Sequence, residues 1–128
     1  MTVRKKEYLG IRDLESYRKS YDLSNYVWEI IMKWDYFPRE TVGKKFVRSI
    51  DSISANIAEG FGRYHKKDKI KFYRYRLGSL KESQDWCEKS NHRNLINSLQ
   101  HKYIQDQLCV LPREIYNLIN FTEKKLTK

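Results

Sequence analysis

Only two prolines, Pro38 and Pro112, interrupt 128 residues, and with Gly43, Gly60 and Gly62 they punctuate long stretches free of strong breakers. Sheet proteins need a turn every few residues, so such stretches favour helix over strand. The apolar spacing agrees. From Asp13 to Trp34 it steps by three and four through Leu14, Tyr17, Tyr21, Trp28 and Ile31, with Val27, Ile30 and Trp34 widening the stripe. That period marks one face of an amphipathic helix, with Asp13 placed to cap it. "DYFPRET" stops this helix, because the Pro38 ring disfavours helical geometry at Phe37.

A second helix is expected from near Thr41, with Phe46, Ile50, Ile53 and Ile57 on one stripe. Gly60 lies just past its expected end, where a left-handed residue commonly closes a helix. A third runs from the Lys66 to Lys69 region to about Ser90 on Ile70, Tyr73, Leu77, Leu80 and Cys87, and "SNHRN" reads as its exit loop. A fourth covers roughly Leu95 to Lys124 on Leu99, Tyr103, Ile104, Leu108, Leu111, Ile115, Leu118 and Ile119. Pro112 removes a backbone donor inside that pattern and predicts a kink or a break. The expectation is an all-α protein, an antiparallel up-down-up-down four-helix bundle over 12–125. Residues 1–11 form an N-terminal extension and 126–128 a frayed tail.

A formal net charge of +10 makes an anionic partner a reasonable expectation. Mean hydropathy of -0.82 points to helices with broad solvated faces. Cys87 and Cys109 are too few for a disulfide framework and lack metal-knuckle spacing, so both read as reduced thiols. "MTVRKKEYLG" has no apolar signal core, and no run approaches the roughly 20 apolar residues that span a bilayer. A cytoplasmic protein without a membrane partner is expected.

A second stripe accompanies the isoleucines of the second helix: Ser49, Ser52, Asn56 and Glu59, flanked by Ala55 and Ala58. Gly78, Ser79 and Ser83 answer it from the third helix. Small side chains let helix backbones approach closely, and their hydroxyls can bridge. The simplest reading is a tight contact between these helices or between subunits. Glu59 stands in a last helical turn, facing the negative end of the macrodipole, so it calls for a basic partner such as Arg63 or Arg74.

The charge is concentrated just beyond. Arg63, Lys66, Lys67, Lys69, Lys71, Arg74, Arg76 and Lys81 face only Asp68 among acidic residues between positions 63 and 81, a net of +7. Tyr64, Phe72, Tyr73 and Tyr75 interleave with them, and cations beside aromatic rings are the materials of a nucleic-acid surface. A solvated basic face with packing aromatics is the competing interpretation, and Tyr73 falls on the core stripe. Lys66, Lys67, Lys69, Lys71 and Arg74 are the first candidates for phosphate contact, with Arg63 and Arg76 next.

"SISANIAEGFGR" followed by "RYRLGSLKE" resembles the paired signature of the S23-like family, four-helix bundle proteins encoded in intervening sequences of bacterial 23S ribosomal RNA genes. The resemblance covers about residues 11–125, including "DLESYRKSYDLSNYVWEI" and the "FP" before the second helix. Ser52, Asn56, Ile57, Ala58, Glu59, Gly60, Gly78, Ser79 and Glu82 match its pattern. It implies a ring-shaped homo-oligomer, typically a pentamer, without enzymatic activity. A distant relative is the accessory variability protein of diversity-generating retroelements, which implies a possible reverse transcriptase partner. Arg76, where the family usually has an apolar or small residue, and Pro112 depart from the pattern.

No P-loop, nucleophile elbow or zinc motif is present, and no Glu-x-x-His pairs of the di-iron type occur. His65, His92 and His101 form no metal series, and the Glu88 and His92 pair reads as a surface contact. The expectation is therefore no enzyme, no cofactor and no metal. Three functions remain open: a nucleic-acid-binding oligomer with RNA favoured, an accessory subunit for a reverse transcriptase and its RNA, and a structural product of a mobile element.

Overall fold

The computed structural model describes residues 10–125, so the expected frayed tail and all but the last two residues of the expected N-terminal extension lie outside it. A 3-10 turn, Ile11–Asp13, leads into α1 (Glu15–Ile31). The Asp13 Oδ2 accepts the backbone N–H of Gly10 at 2.8 Å, so Asp13 closes the 3-10 turn and leaves Leu14 at the start of α1. A single turn, α2 (Tyr36–Pro38), continues through a π-helical segment, Arg39–Gly43, into α3 (Lys44–Gly62). The second long helical element thus begins before Thr41. Pro38 lies in its first turn, where backbone N–H groups have no intrahelical acceptor, so the missing donor costs nothing and Phe37 is helical. α4 (Lys66–His92) and α5 (Ser98–Lys125) complete the chain, and α5 runs unbroken through Pro112. The exit from α4 turns at Asn94, whose φ of 59° is one that asparagine tolerates better than most residues.

All regular structure among the described residues is helical. The long helices form a four-helix bundle in which α1 and α4 each pack against both α3 and α5. Its centre is aliphatic: Leu23 and Val27, then Ile50, Ile53 and Ile57, then Leu80, then Ile104, Leu108, Leu111 and Ile115, all at most 2% exposed. Tyr73 and Cys87 complete it from α4, and burial raises both their pKa values to about 12. Among the described residues no helix is long and apolar enough to cross a membrane.

The buried line of α1 runs through Ser16, Ser20, Leu23, Ser24, Val27 and Ile31, rather than through the aromatic residues. Tyr21 and Trp28 stand at the margin, 37% and 46% exposed. Small serines let this helix lie close to its neighbours, while the wider rings fit only at the rim. On α5, Leu99 is 79% and Tyr103 40% exposed, so the core stripe begins at Ile104, and Ile96 in the preceding turn closes that end.

Candidate nucleic-acid interface

The expected small-residue seam joins α3 to α4. Ser83 donates through its hydroxyl to Ser49 Oγ at 2.9 Å, and Ser52 donates to Ser79 Oγ at 2.5 Å. Asn56 Nδ2 donates to the Ser52 carbonyl at 2.9 Å, as does Arg76 Nη1. The two glycines of the signature play different parts. Gly60 is inside α3, and no glycine among the described residues has positive φ, so it is no left-handed terminator. Its role is close approach: a Cβ there would lie 2.7 Å from Tyr73 Cε1 and 2.9 Å from the Lys69 carbonyl oxygen. Gly78, by contrast, is exposed, and a Cβ would meet nothing within 4 Å. It takes no part in packing α4 onto α3.

Glu59 has the basic partner its position called for. Arg63 Nη2 pairs with Glu59 Oε2 at 2.7 Å, and the Arg63 guanidinium also lies 4.6 Å from the Phe72 ring centroid. Phe72 in turn meets Tyr75 edge-on at 5.5 Å. Tyr64 and Tyr75 are the exposed rings of this face, at 66% and 51%, while Tyr73 is buried. Glu82 accepts the Trp86 indole N–H at 3.2 Å and is bound within α4.

The structure divides the basic candidates. Lys67, Lys71 and Arg74 are exposed and make no ion pair among the described residues. Lys66 is half-buried and reaches the Glu123 carbonyl at 3.2 Å, near the end of α5. Lys69 turns inward: its Nζ donates to the Phe61 carbonyl at 2.7 Å, and burial lowers its pKa. Arg76 overturns its assignment as a phosphate contact, because it is only 2% exposed. Position 76 follows Tyr73 by three residues and so shares its inward face. The Arg76 Nε has no hydrogen-bond partner, and burial depresses the guanidinium pKa to about 10.

A buried cation without a carboxylate partner is held against a desolvation cost, so an apolar side chain of similar volume should serve as well. Arg76→Met is expected to melt at or above the wild-type temperature. A loss of more than about 2 kcal/mol in thermal unfolding would show that the guanidinium contributes net stability.

Among the described residues no group of three or more His, Cys, Asp or Glu side chains could hold a metal. Glu88 bonds His101 and Gln105 of α5, at 2.7 and 2.8 Å, rather than pairing with His92. The His101 contact holds the Glu88 carboxyl below its usual range. A second set of cations, Lys45, Arg48 and Arg93, gathers at the far end of α4 around an apolar groove. Sequence reasoning missed it because its members come from segments some forty residues apart and no single stretch shows the excess.

These features, the α3–α4 seam, the close-approach glycine and the basic start of α4, all lie within the span over which a family profile matches the chain. That profile, the 23S rRNA-intervening sequence protein, aligns with residues 12–123. The chain belongs to the 23S rRNA-intervening sequence protein family. A similar solved structure is the 1.70 Å crystal structure of a protein of unknown function from the S23 ribosomal protein family of Bacteroides thetaiotaomicron VPI-5482. It is 20% identical, with a TM-score of 0.73 over 81% of this chain and 97% of that one, and the likeness extends to the fold. No curated protein matches this family member.

Proposed function

We propose that this chain is a non-enzymatic, cytoplasmic, basic homo-oligomer that binds nucleic acid, RNA in preference to DNA, through phosphate electrostatics. The observation that carries the reading is the exposed trio Lys67, Lys71 and Arg74, without ion pairs among the described residues, beside the exposed rings of Tyr64 and Tyr75. Unpaired surface cations release counterions from a phosphate backbone, and adjacent rings offer stacking surfaces. The family's tie to 23S rRNA favours RNA.

Up-down order is supported by the pairings across helices. Ser49 meets Ser83 while Ser52 meets Ser79, and Lys19 meets Glu114 while Tyr26 meets Tyr103, so numbers rise along one helix as they fall along the next. Assembly is supported by the apolar surface of α1 and α5, where Trp28 and Met32, and Val110, Tyr116 and Phe121, are all more than 40% exposed. Covering these residues in a ring, a pentamer in the reading favoured here, would repeat the basic face around the assembly. Many weak contacts then act together without strong binding by one subunit.

Binding to structured RNA, followed by fluorescence anisotropy across a salt series, tests the reading. Wild-type affinity is expected to fall steeply with salt, and Lys67→Glu/Lys71→Glu/Arg74→Glu to flatten the slope by about 2 to 3, one contact per residue. The triple variant should also lose at least about tenfold in affinity at low salt. Unchanged slope and affinity would remove this face from consideration. A monomeric form binding as tightly as the oligomer would remove the multivalent part.

A further inference from the structure

The groove at the other end of α4 is distinct from the basic face in position and composition. Trp86 lies 19 residues beyond Lys67 on a continuous helix, roughly 28 Å away along its axis. Phe37, Val42, Trp86 and Leu95 supply apolar walls to an open groove of about 750 Å³. Lys45, Arg48 and Arg93 stand on its rim, exposed and without ion pairs among the described residues. The one acidic lining residue, Glu40, is already engaged by Lys44 at 3.2 Å and by Arg39 at 3.6 Å.

The backbone here is also specialised. The Arg39–Gly43 segment is π-helical, a widened turn that recurs at functional sites. Gly43 is buried against α1, where a Cβ would come 2.8 Å from Ile31 Cγ2. This close approach seats the segment deep on one side, while Glu40, Thr41 and Val42 line the groove. Phe37 is left 74% exposed at the mouth, next to Tyr36 at 71%.

We infer that this groove is a nucleotide-binding slot for single-stranded nucleic acid, taking a base against Trp86 and Phe37 and its phosphates on Lys45, Arg48 and Arg93. The inference deepens the nucleic-acid reading above and rests on it for the ligand class. Aromatic walls beside cations without ion pairs match a base joined to a phosphate, the Trp86 ring already accepting the Lys89 ammonium 4.7 Å from its centroid, and stacking tolerates any base because each has a π face.

The test uses the whole protein labelled with ¹⁵N, with the Trp86 indole resonance assigned by Trp86→Phe, titrated with a 5′-phosphorylated adenine RNA trinucleotide. A saturable shift of that resonance is expected. It should weaken about tenfold in Arg48→Glu/Arg93→Glu and several-fold in Phe37→Ala, all at exposed positions where the fold tolerates change. Lys67→Glu/Lys71→Glu/Arg74→Glu should leave it unchanged, which separates failure of this slot from failure of the basic face. No shift with the trinucleotide overturns the inference. So does an equal shift from inorganic phosphate alone, or from adenosine alone, since either removes one half of the ligand. A blocked Asp-Phe-Asp peptide that shifts Trp86 where the trinucleotide does not would overturn it in favour of an acidic protein partner.

Discussion

Gly60→Leu is expected to destabilise the bundle by about 3 kcal/mol, at the upper end of the range for overpacked sites. Helix propensity alone predicts the opposite sign, since replacing an interior glycine usually gains up to about 1 kcal/mol. The contact decides it. A new Cβ would lie 2.9 Å from the Lys69 carbonyl as well as 2.7 Å from the Tyr73 ring, and a backbone oxygen cannot swing aside as a side chain can. The helices must separate, which loosens the seam from Ser52 to Ser79. Denaturant unfolding should show a lower midpoint with an unchanged slope; a midpoint at or above wild type would mean that α4 moves without cost.

Tyr73→Ala should cost more, about 3 to 5 kcal/mol, because it empties a 1% exposed aromatic site packed against Gly60 of α3. The same denaturant series measures it, and a loss under about 1 kcal/mol would mean that neighbours collapse into the space. The double variant Gly60→Leu/Tyr73→Ala should be less unstable than the two losses added, since the leucine gains the volume that the ring vacates. Additivity would show that the Lys69 carbonyl, and not the ring, limits residue 60.

Much of this architecture is legible in the sequence because helical spacing is local. The isoleucines of α3 and the leucines of α5 declare their buried faces within a few residues, and the small residues at 49, 52, 79 and 83 declare a close helix contact. What escapes is whatever depends on two distant segments at once. Gly60 looks like a terminator when only its own helix is considered, but Tyr73 explains it. Arg76 looks like one more cation in a basic run, but three residues after Tyr73 it faces inward. Leu99 looks like one more step of the apolar spacing, but five residues before Ile104 it lies well round the helix from the core stripe, and the side chain is left 79% exposed. The Lys45, Arg48 and Arg93 cluster is invisible until α3 and the end of α4 are brought side by side.

Two kinds of force hold the bundle, and only one of them fixes how its helices align. Burial of the aliphatic centre is a non-directional force and sets no alignment by itself. The α3–α4 seam is directional. Ser83 donates to Ser49, whose own hydroxyl reaches the Phe46 carbonyl, and Ser52 donates to Ser79. A slip of one helical turn, about 5.4 Å, would unpair these hydroxyls together, and the buried pair of Ser49 and Ser83 would lose its bond where water cannot easily replace it. The seam works like the teeth of a gear: it adds little holding strength, but it admits only one meshing. The basic start of α4 and the groove near its end are therefore carried at a fixed offset along α3, like two marks on one ruler.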